Sequence, residues 1–175
     1  FGEFPILFAV CANDIRLVRL ILLGNPNYIF IRDSHGNNCL HMCVLHNLQG
    51  MYNYLLDLAR EILRYRRKTQ NPETDPDQHP SPVTPREVVK SHQEYEAQLT
   101  KQLNHFLVDV PNLDGHTPFT LAASLGLHDM FQTLIEHRKT TVWTYGPVVC
   151  STVNLRGFDT PESIEGIERD LFTNK

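Results

Sequence analysis

Gly115-His116-Thr117-Pro118-Phe119-Thr120-Leu121-Ala122-Ala123, with Gly126 three residues further on, carries the clearest structural instruction in the chain. Gly115 follows Asp114 at a turn, where glycine takes a positive φ without steric cost. Pro118 suits the first turn of a helix, because the N–H it lacks would have no intrahelical partner there. Ala122 and Ala123 are small enough for neighbouring helices to approach closely. The same pattern stands earlier as Gly36-Asn37-Asn38-Cys39-Leu40-His41-Met42-Cys43, after Asp33. It stands again, 34 residues before that, as Gly2-Glu3-Phe4-Pro5-Ile6-Leu7-Phe8-Ala9. One copy is a weak signal, and three in one register define a repeat.

The pattern is that of the ankyrin repeat, a turn followed by two antiparallel helices. Ile15, Val18, Leu20, Ile21 and Leu22 supply the apolar face of one second helix. Met51, Tyr54, Leu55 and Leu58 supply the next, and Met130, Phe131, Leu134 and Ile135 the third. One repeat cannot bury its own apolar face, so the stack is the folding unit, and further repeats are expected before the first. Gly36 and Gly115 stand 79 residues apart, far more than one period. The excess holds Asn71-Pro72-Glu73-Thr74-Asp75-Pro76-Asp77-Gln78-His79-Pro80-Ser81-Pro82, which reads as an exposed mobile loop. Thr84-Pro85-Arg86-Glu87 then starts a helix expected to reach Phe106, with Val88, Val89, Tyr95, Leu99, Leu103 and Phe106 as its stripe. Val142-Trp143-Thr144-Tyr145-Gly146-Pro147-Val148-Val149-Cys150-Ser151-Thr152-Val153 reads as a β-hairpin around a Gly-Pro turn. Thr160-Pro161-Glu162 restarts a short helix with Ile164, Ile167 and Leu171 on one face. The expected fold is therefore all-α, an ankyrin-repeat solenoid of helix pairs over residues 1–141. Its repeats are placed at 1–34, at 35–113 with an insertion at 64–107, and at 114–141. A linker follows over 142–175, with the β-hairpin and the short helix.

Composition narrows the function. With 41 % hydrophobic and 21 % charged residues the chain is expected to fold, and a net charge of −4 gives no general attraction to nucleic acid. It opens on Phe1-Gly2-Glu3, with no initiator Met or basic flank, which reads as a segment of a longer protein. Cys11, Cys39, Cys43 and Cys150 form no repeated CxxC framework and read as reduced thiols. Cys39-Leu40-His41-Met42-Cys43-Val44-Leu45-His46 has side chains of zinc-binding type. All four fall within one repeat motif, however, so packing is preferred, with the His41 ring hydrogen-bonded to nearby backbone. No nucleophile–base pair or glycine-rich phosphate loop is apparent, so no enzyme, cofactor or metal site is expected.

Leu55-Leu56-Asp57-Leu58-Ala59-Arg60-Glu61-Ile62-Leu63-Arg64-Tyr65-Arg66-Arg67-Lys68 joins an apolar face to five positive charges against two negative. Basic amphipathic helices of this kind suit calmodulin, with Leu58, Ile62 and Leu63 as apolar anchors and Arg60, Arg64, Arg66 and Arg67 meeting its acidic rim. Anionic lipid headgroups are an alternative partner. A third reading is a solvated helix end whose cations suit the dipole.

Phe1-Gly2-Glu3-Phe4-Pro5, Arg32-Asp33-Ser34-His35-Gly36-Asn37-Asn38-Cys39-Leu40-His41, Met51-Tyr52-Asn53, Met130-Phe131-Gln132, Arg138-Lys139 and above all Trp143-Thr144-Tyr145-Gly146-Pro147-Val148 resemble vanilloid-type transient receptor potential channels. The resemblance covers nearly the whole chain outside residues 64–103. It implies a cytosolic array of six repeats, of which this chain matches the fourth to sixth, then a linker hairpin and a six-helix membrane domain. It further implies a calcium-permeable tetramer, homo- or heteromeric, in which the hairpin touches a neighbouring subunit's repeats through Trp143, Tyr145 and Val148. The segment would lie on the cytoplasmic side of the cell membrane, in a sensory and ciliary setting. The proline-rich insertion departs from the family pattern and points to a divergent or invertebrate member. The rival reading is a soluble ankyrin scaffold for an unrelated partner.

Overall fold

The computed structural model describes residues 4–70 and 85–155. Gly2, the loop expected at residues 71–82, the helix cap expected at Thr84 and the short helix expected around Ile164, Ile167 and Leu171 lie outside the described residues. The fold is mostly helical with one small antiparallel hairpin: α1 (Pro5–Cys11), α2 (Ile15–Gly24), a 3₁₀ turn (Pro26–Phe30), α3 (Cys39–Leu45), α4 (Gln49–Gln70), α5 (Pro85–Leu103), a π-helical turn (Asn104–Val108), α6 (Pro118–Ser124), α7 (His128–Arg138), β1 (Lys139–Tyr145) and β2 (Val148–Val153). The chain divides into two compact units, Phe1–Pro118 and Phe119–Lys175.

Three helix pairs share one loop geometry. Asn13, Asn47 and Gly126 each take a left-handed conformation, with φ of 53°, 53° and 66°. In each loop that residue's N–H donates three residues back, to Val10, Val44 or Ala123. The next N–H donates five residues back, to Ala9, Cys43 or Ala122. The three loops therefore close in the same way, which ties the sequence repeat to a repeated local structure. Pro5 sits in the first turn of α1, as its fixed φ favours. Asp14 caps α2 by accepting from the Arg16 and Leu17 N–H groups, and Asn38 caps α3 in a reciprocal box with His41.

In the first unit α4 packs against α3, the 3₁₀ turn and α5. A helix with neighbours on several sides needs apolar residues over more than one stripe. Met51 and Leu55 are buried, and so are Tyr52, Leu56, Ala59 and Leu63, while Tyr54 and Leu58 are only half-buried. On α2, Val18 and Leu22 enter the core. The expected burial of Ile15 and Leu20 does not occur: Ile15 lies on the first turn of α2, and Leu20 points away from the Val18–Leu22 face. Ala122 is buried but Ala123 is exposed. The inserted helix α5 ends at Leu103 rather than Phe106. The wider π-helical turn carries the buried stripe from Leu99 and Leu103 to Leu107, leaving Phe106 exposed.

The turns before α3 and α6 pair directly although 79 residues separate Gly36 from Gly115. Leu113 N–H donates to the His35 carbonyl at 2.9 Å. The Asn112 amide donates to Asn37 Oδ1 at 3.0 Å. Asp33 shapes the first turn by accepting from the His35 and Asn37 N–H groups. Its counterpart is Asn112, which accepts from Asp114 and His116, and not the expected Asp114.

In the second unit β1 runs straight on from α7 and pairs with β2 in the register Tyr145↔Val148 to Lys139↔Val153, with an irregularity between Thr141 and Trp143. Gly146, at φ 56°, and Pro147 make the two-residue turn.

Candidate functional site

The basic segment forms the outer half of α4, and its guanidinium groups are placed on neighbours. Arg60 Nη1 lies 2.8 Å from Asp57 Oδ1. Arg64 Nη2 donates to both carboxylate oxygens of Glu96 on α5 at 3.0 Å. Arg66 donates to Asn27 Oδ1 and stands over the Phe30 ring, 4.9 Å from its centroid. Arg67 donates to Gln98 and stands over Tyr95, again at 4.9 Å. Phe30 in turn meets Phe106 edge to face at 6.4 Å. Among the described residues two of these cations are matched by carboxylates, while Arg66 and Arg67 are held by neutral amides and rings. Of the apolar anchors, Leu63 is buried, and Leu58 and Ile62 are half-buried. Leu58 and Ile62 line a cleft of about 500 Å³ between α2 and α4, along with Leu22, Leu23, Pro26 and Tyr54. Tyr95, Glu96 and Gln98 were not anticipated as partners; the signal available was an insertion carrying acids and amides next to a basic helix.

The hairpin is the opposite case. Every residue of β1 is exposed; Trp143 shows 51 % of its surface, Tyr145 82 % and Val148 on β2 54 %. A cap of Trp143 and Tyr145 on Phe131 and Leu134 would bury both aromatics, and both are exposed. Phe131 instead stacks on Phe119, with ring centroids 5.0 Å apart and planes 2° from parallel, and Arg138 stands over Phe119 at 4.3 Å. Arg138 also donates to the Asn154 carbonyl at 3.2 Å, holding the hairpin's end to α7.

Of the Cys39–His46 cluster, Cys39, His41 and Cys43 are interior, while His46 is exposed. The His41 side chain is fully buried, and its Nε2–H donates to the His116 carbonyl at 2.9 Å. Nδ1 lies 2.8 Å from Asn38 Oδ1 and 3.3 Å from the Asn38 backbone nitrogen. Burial lowers the His41 pKa to about 4, against the raising effect of the His116 carbonyl. Burial pushes the Cys39 thiol up to about 12 and the Cys43 thiol well above its ordinary value. Thiols held protonated in this way are poor nucleophiles and poor metal ligands. Among the described residues no group of His, Cys, Asp or Glu is arranged to hold a metal ion.

No family model matches the chain. Its relatives are nonetheless cation channels. It is 30 % identical over 175 residues to human transient receptor potential cation channel subfamily V member 6, a match covering all of this chain and 18 % of the relative. It is 30 % identical over 159 residues to human subfamily V member 5, covering 91 % of this chain and 17 % of that protein. Subfamily V member 1 of Cavia porcellus is 27 % identical over 183 residues, covering 96 % and 18 % respectively. The chain is thus related, over nearly its whole length, to one segment of the vanilloid-type transient receptor potential channels, and it spans less than a fifth of their length. Among the described residues no helix is long and apolar enough to cross a membrane.

Proposed function

We propose that this chain is the ankyrin-repeat assembly and regulatory segment of a tetrameric, calcium-permeable cation channel of the vanilloid type, lying on the cytoplasmic side of the cell membrane. The sensory, ciliary setting belongs to the same proposal. Relatedness to channels supports the class, and the identically closed loops of the helix pairs support the ankyrin reading. The observation that carries the assembly role is the hairpin. Trp143, Tyr145 and Val148 present aromatic and branched surface to solvent, the composition favoured at the centre of protein interfaces. Docked on a neighbouring subunit's repeats, the hairpin would connect movements of one repeat array with the next.

The test is the paired change Trp143→Ala and Tyr145→Ala in the full-length channel. The tetramer fraction on native gels and after cross-linking should fall severalfold while the helical signal stays intact. A tetramer fraction equal to that of the parent protein sinks the assembly role. Co-purification with the membrane fraction separates the channel reading from that of a soluble scaffold.

A second reading, calmodulin capture by the outer half of α4, is favoured by Arg66 and Arg67, which among the described residues are met by amides and rings rather than by a carboxylate. It requires the helix to give up contacts that it now makes with α5.

A further inference from the structure

The inserted helix α5 presents its polar residues to the same side chains that an acidic helix-binding partner would use. Glu96 accepts from Arg64 at 3.0 Å through both oxygens, and Gln98 and Tyr95 hold Arg67. These groups fall within one turn of α5. The next residues along it, Leu99 and Leu103, are buried, as is Leu107 beyond them. These two described parts of α5, Tyr95–Gln98 and Leu99–Leu103, are therefore anchored by different forces. The leucine end is held by apolar burial, which salt does not weaken. At the Glu96 end the Tyr95 ring lies under Arg67 with its hydroxyl buried, and the ion-paired side chains remain 43 % and 36 % exposed, so that pair is partly hydrated and screened by salt.

We propose that α5 is a latch over the basic end of α4, so that α5 and an acidic, helix-wrapping partner of the calmodulin type compete for Arg64 and Arg67. This rests on the calmodulin reading above. The partner's carboxylates replace Glu96 and Gln98, α5 peels back from the Tyr95 end, and the leucine end keeps it attached. Arg66 faces Asn27 and Phe30 rather than α5, so it serves as a charge common to both states. Partner binding thereby frees a stretch of the insertion, and the strength of the Arg64–Glu96 pair sets how readily that happens.

The experiment titrates the full-length channel with calmodulin, with and without calcium, for the parent chain, Glu96→Gln and Glu96→Asp. Glu96→Gln removes the competing charge and leaves every cation of α4 in place. It should tighten binding by about two- to fivefold, the range that a partly exposed ion pair supports, and the gain should shrink at high salt. Glu96→Asp, which keeps the charge, should stay near the parent. In the parent chain, calmodulin should speed hydrogen exchange at residues 94–98 more than at 99–107. Equal affinity for all three chains, with exchange at 94–98 unchanged on binding, overturns the latch and leaves calmodulin capture standing. Absence of binding by any of the three at roughly tens of micromolar, an affinity too weak to matter here, removes the calmodulin reading and the competition with it.

Discussion

In α4, Met51, Tyr52, Leu55, Leu56 and Ala59 are almost sealed from solvent, whereas every residue of β1 from Lys139 to Tyr145 is exposed. Both segments are rich in large apolar side chains. The difference lies in what surrounds them. α4 is covered by α3, the 3₁₀ turn and α5, all from its own unit. The two strands of the hairpin pair with each other but leave the side chains of β1 in water and those of β2 only partly covered, and an isolated two-stranded ribbon is marginal there. Apolar content alone therefore does not identify core. α4 is held by neighbours within its unit, whereas the side chains of β1 stay exposed.

This contrast predicts a wide gap in stability effects. Leu55→Ala should cost about 2–5 kcal/mol in chemical denaturation, as a fully buried leucine does. Trp143→Ala should stay within about 0.5 kcal/mol, because half of the ring is already solvated. Comparable losses at the two sites would erase the distinction.

Acid should act on the interior and spare the hairpin. The folded-state pKa of His41 is depressed to about 4, below its ordinary 6.5. The unfolded chain therefore takes up the proton first, and the stability contributed by neutral His41 is lost as pH falls from 6.5 towards 4. A shift of this size corresponds to on the order of 3 kcal/mol. Thermal melts across that window should show the decline, and His41→Gln should flatten it. A midpoint that ignores pH in the parent chain contradicts this account.

The two turn glycines allow a finer comparison. Gly36 and Gly115 have φ of 77° and 80°, but a Cβ at Gly36 would lie 3.0 Å from the Leu113 backbone nitrogen, while one at Gly115 meets open space. Replacement by alanine should cost about 1 kcal/mol at Gly115 from backbone conformation alone, and about 2 kcal/mol or more at Gly36. Equal costs would show that the paired turns adjust freely. A small effect is also expected of the Arg64–Glu96 pair, where a double-mutant cycle should return about 0–1 kcal/mol of coupling.

Much of the fold was readable from residues that act locally. Gly36, Gly115, Pro5 and Pro118 announce turns and helix starts through their own backbone preferences, and Trp143 to Val148 announces strand, turn and strand. Other features depend on what arrives from far along the chain. The stripe of Tyr52, Leu56, Ala59 and Leu63 was overlooked because one apolar face suffices for a helix at the edge of a pair, and α4 is not at an edge. Leu20 was read as core from hydrophobicity rather than helical phase. Asp114 shares the residue type of Asp33 and precedes a turn glycine, but equivalent position in the turn selects Asn112. Phe106 was lost to a π-helical turn that apolar spacing cannot distinguish from a continuing α-helix. At the basic end the cations were evident and their partners were not, because Glu96 and Gln98 reach them across 31 or 32 residues of chain.

The direct pairing of the turns at Gly36 and Gly115 has a consequence for how this protein can be edited. His35 meets Leu113, Asn37 meets Asn112 and His41 meets His116, so the junction is closed by the residues on either side of the inserted material. The entropy of closing a loop grows only with the logarithm of its length, and doubling an intervening stretch costs roughly 0.6 kcal/mol. Length added between α4 and α5 therefore leaves the contacts of this seam in place. Foreign sequence, such as a reporter domain with closely spaced ends, should be accepted there with little loss, whereas the same cargo placed between Asp33 and Asn38 would have to break the seam itself.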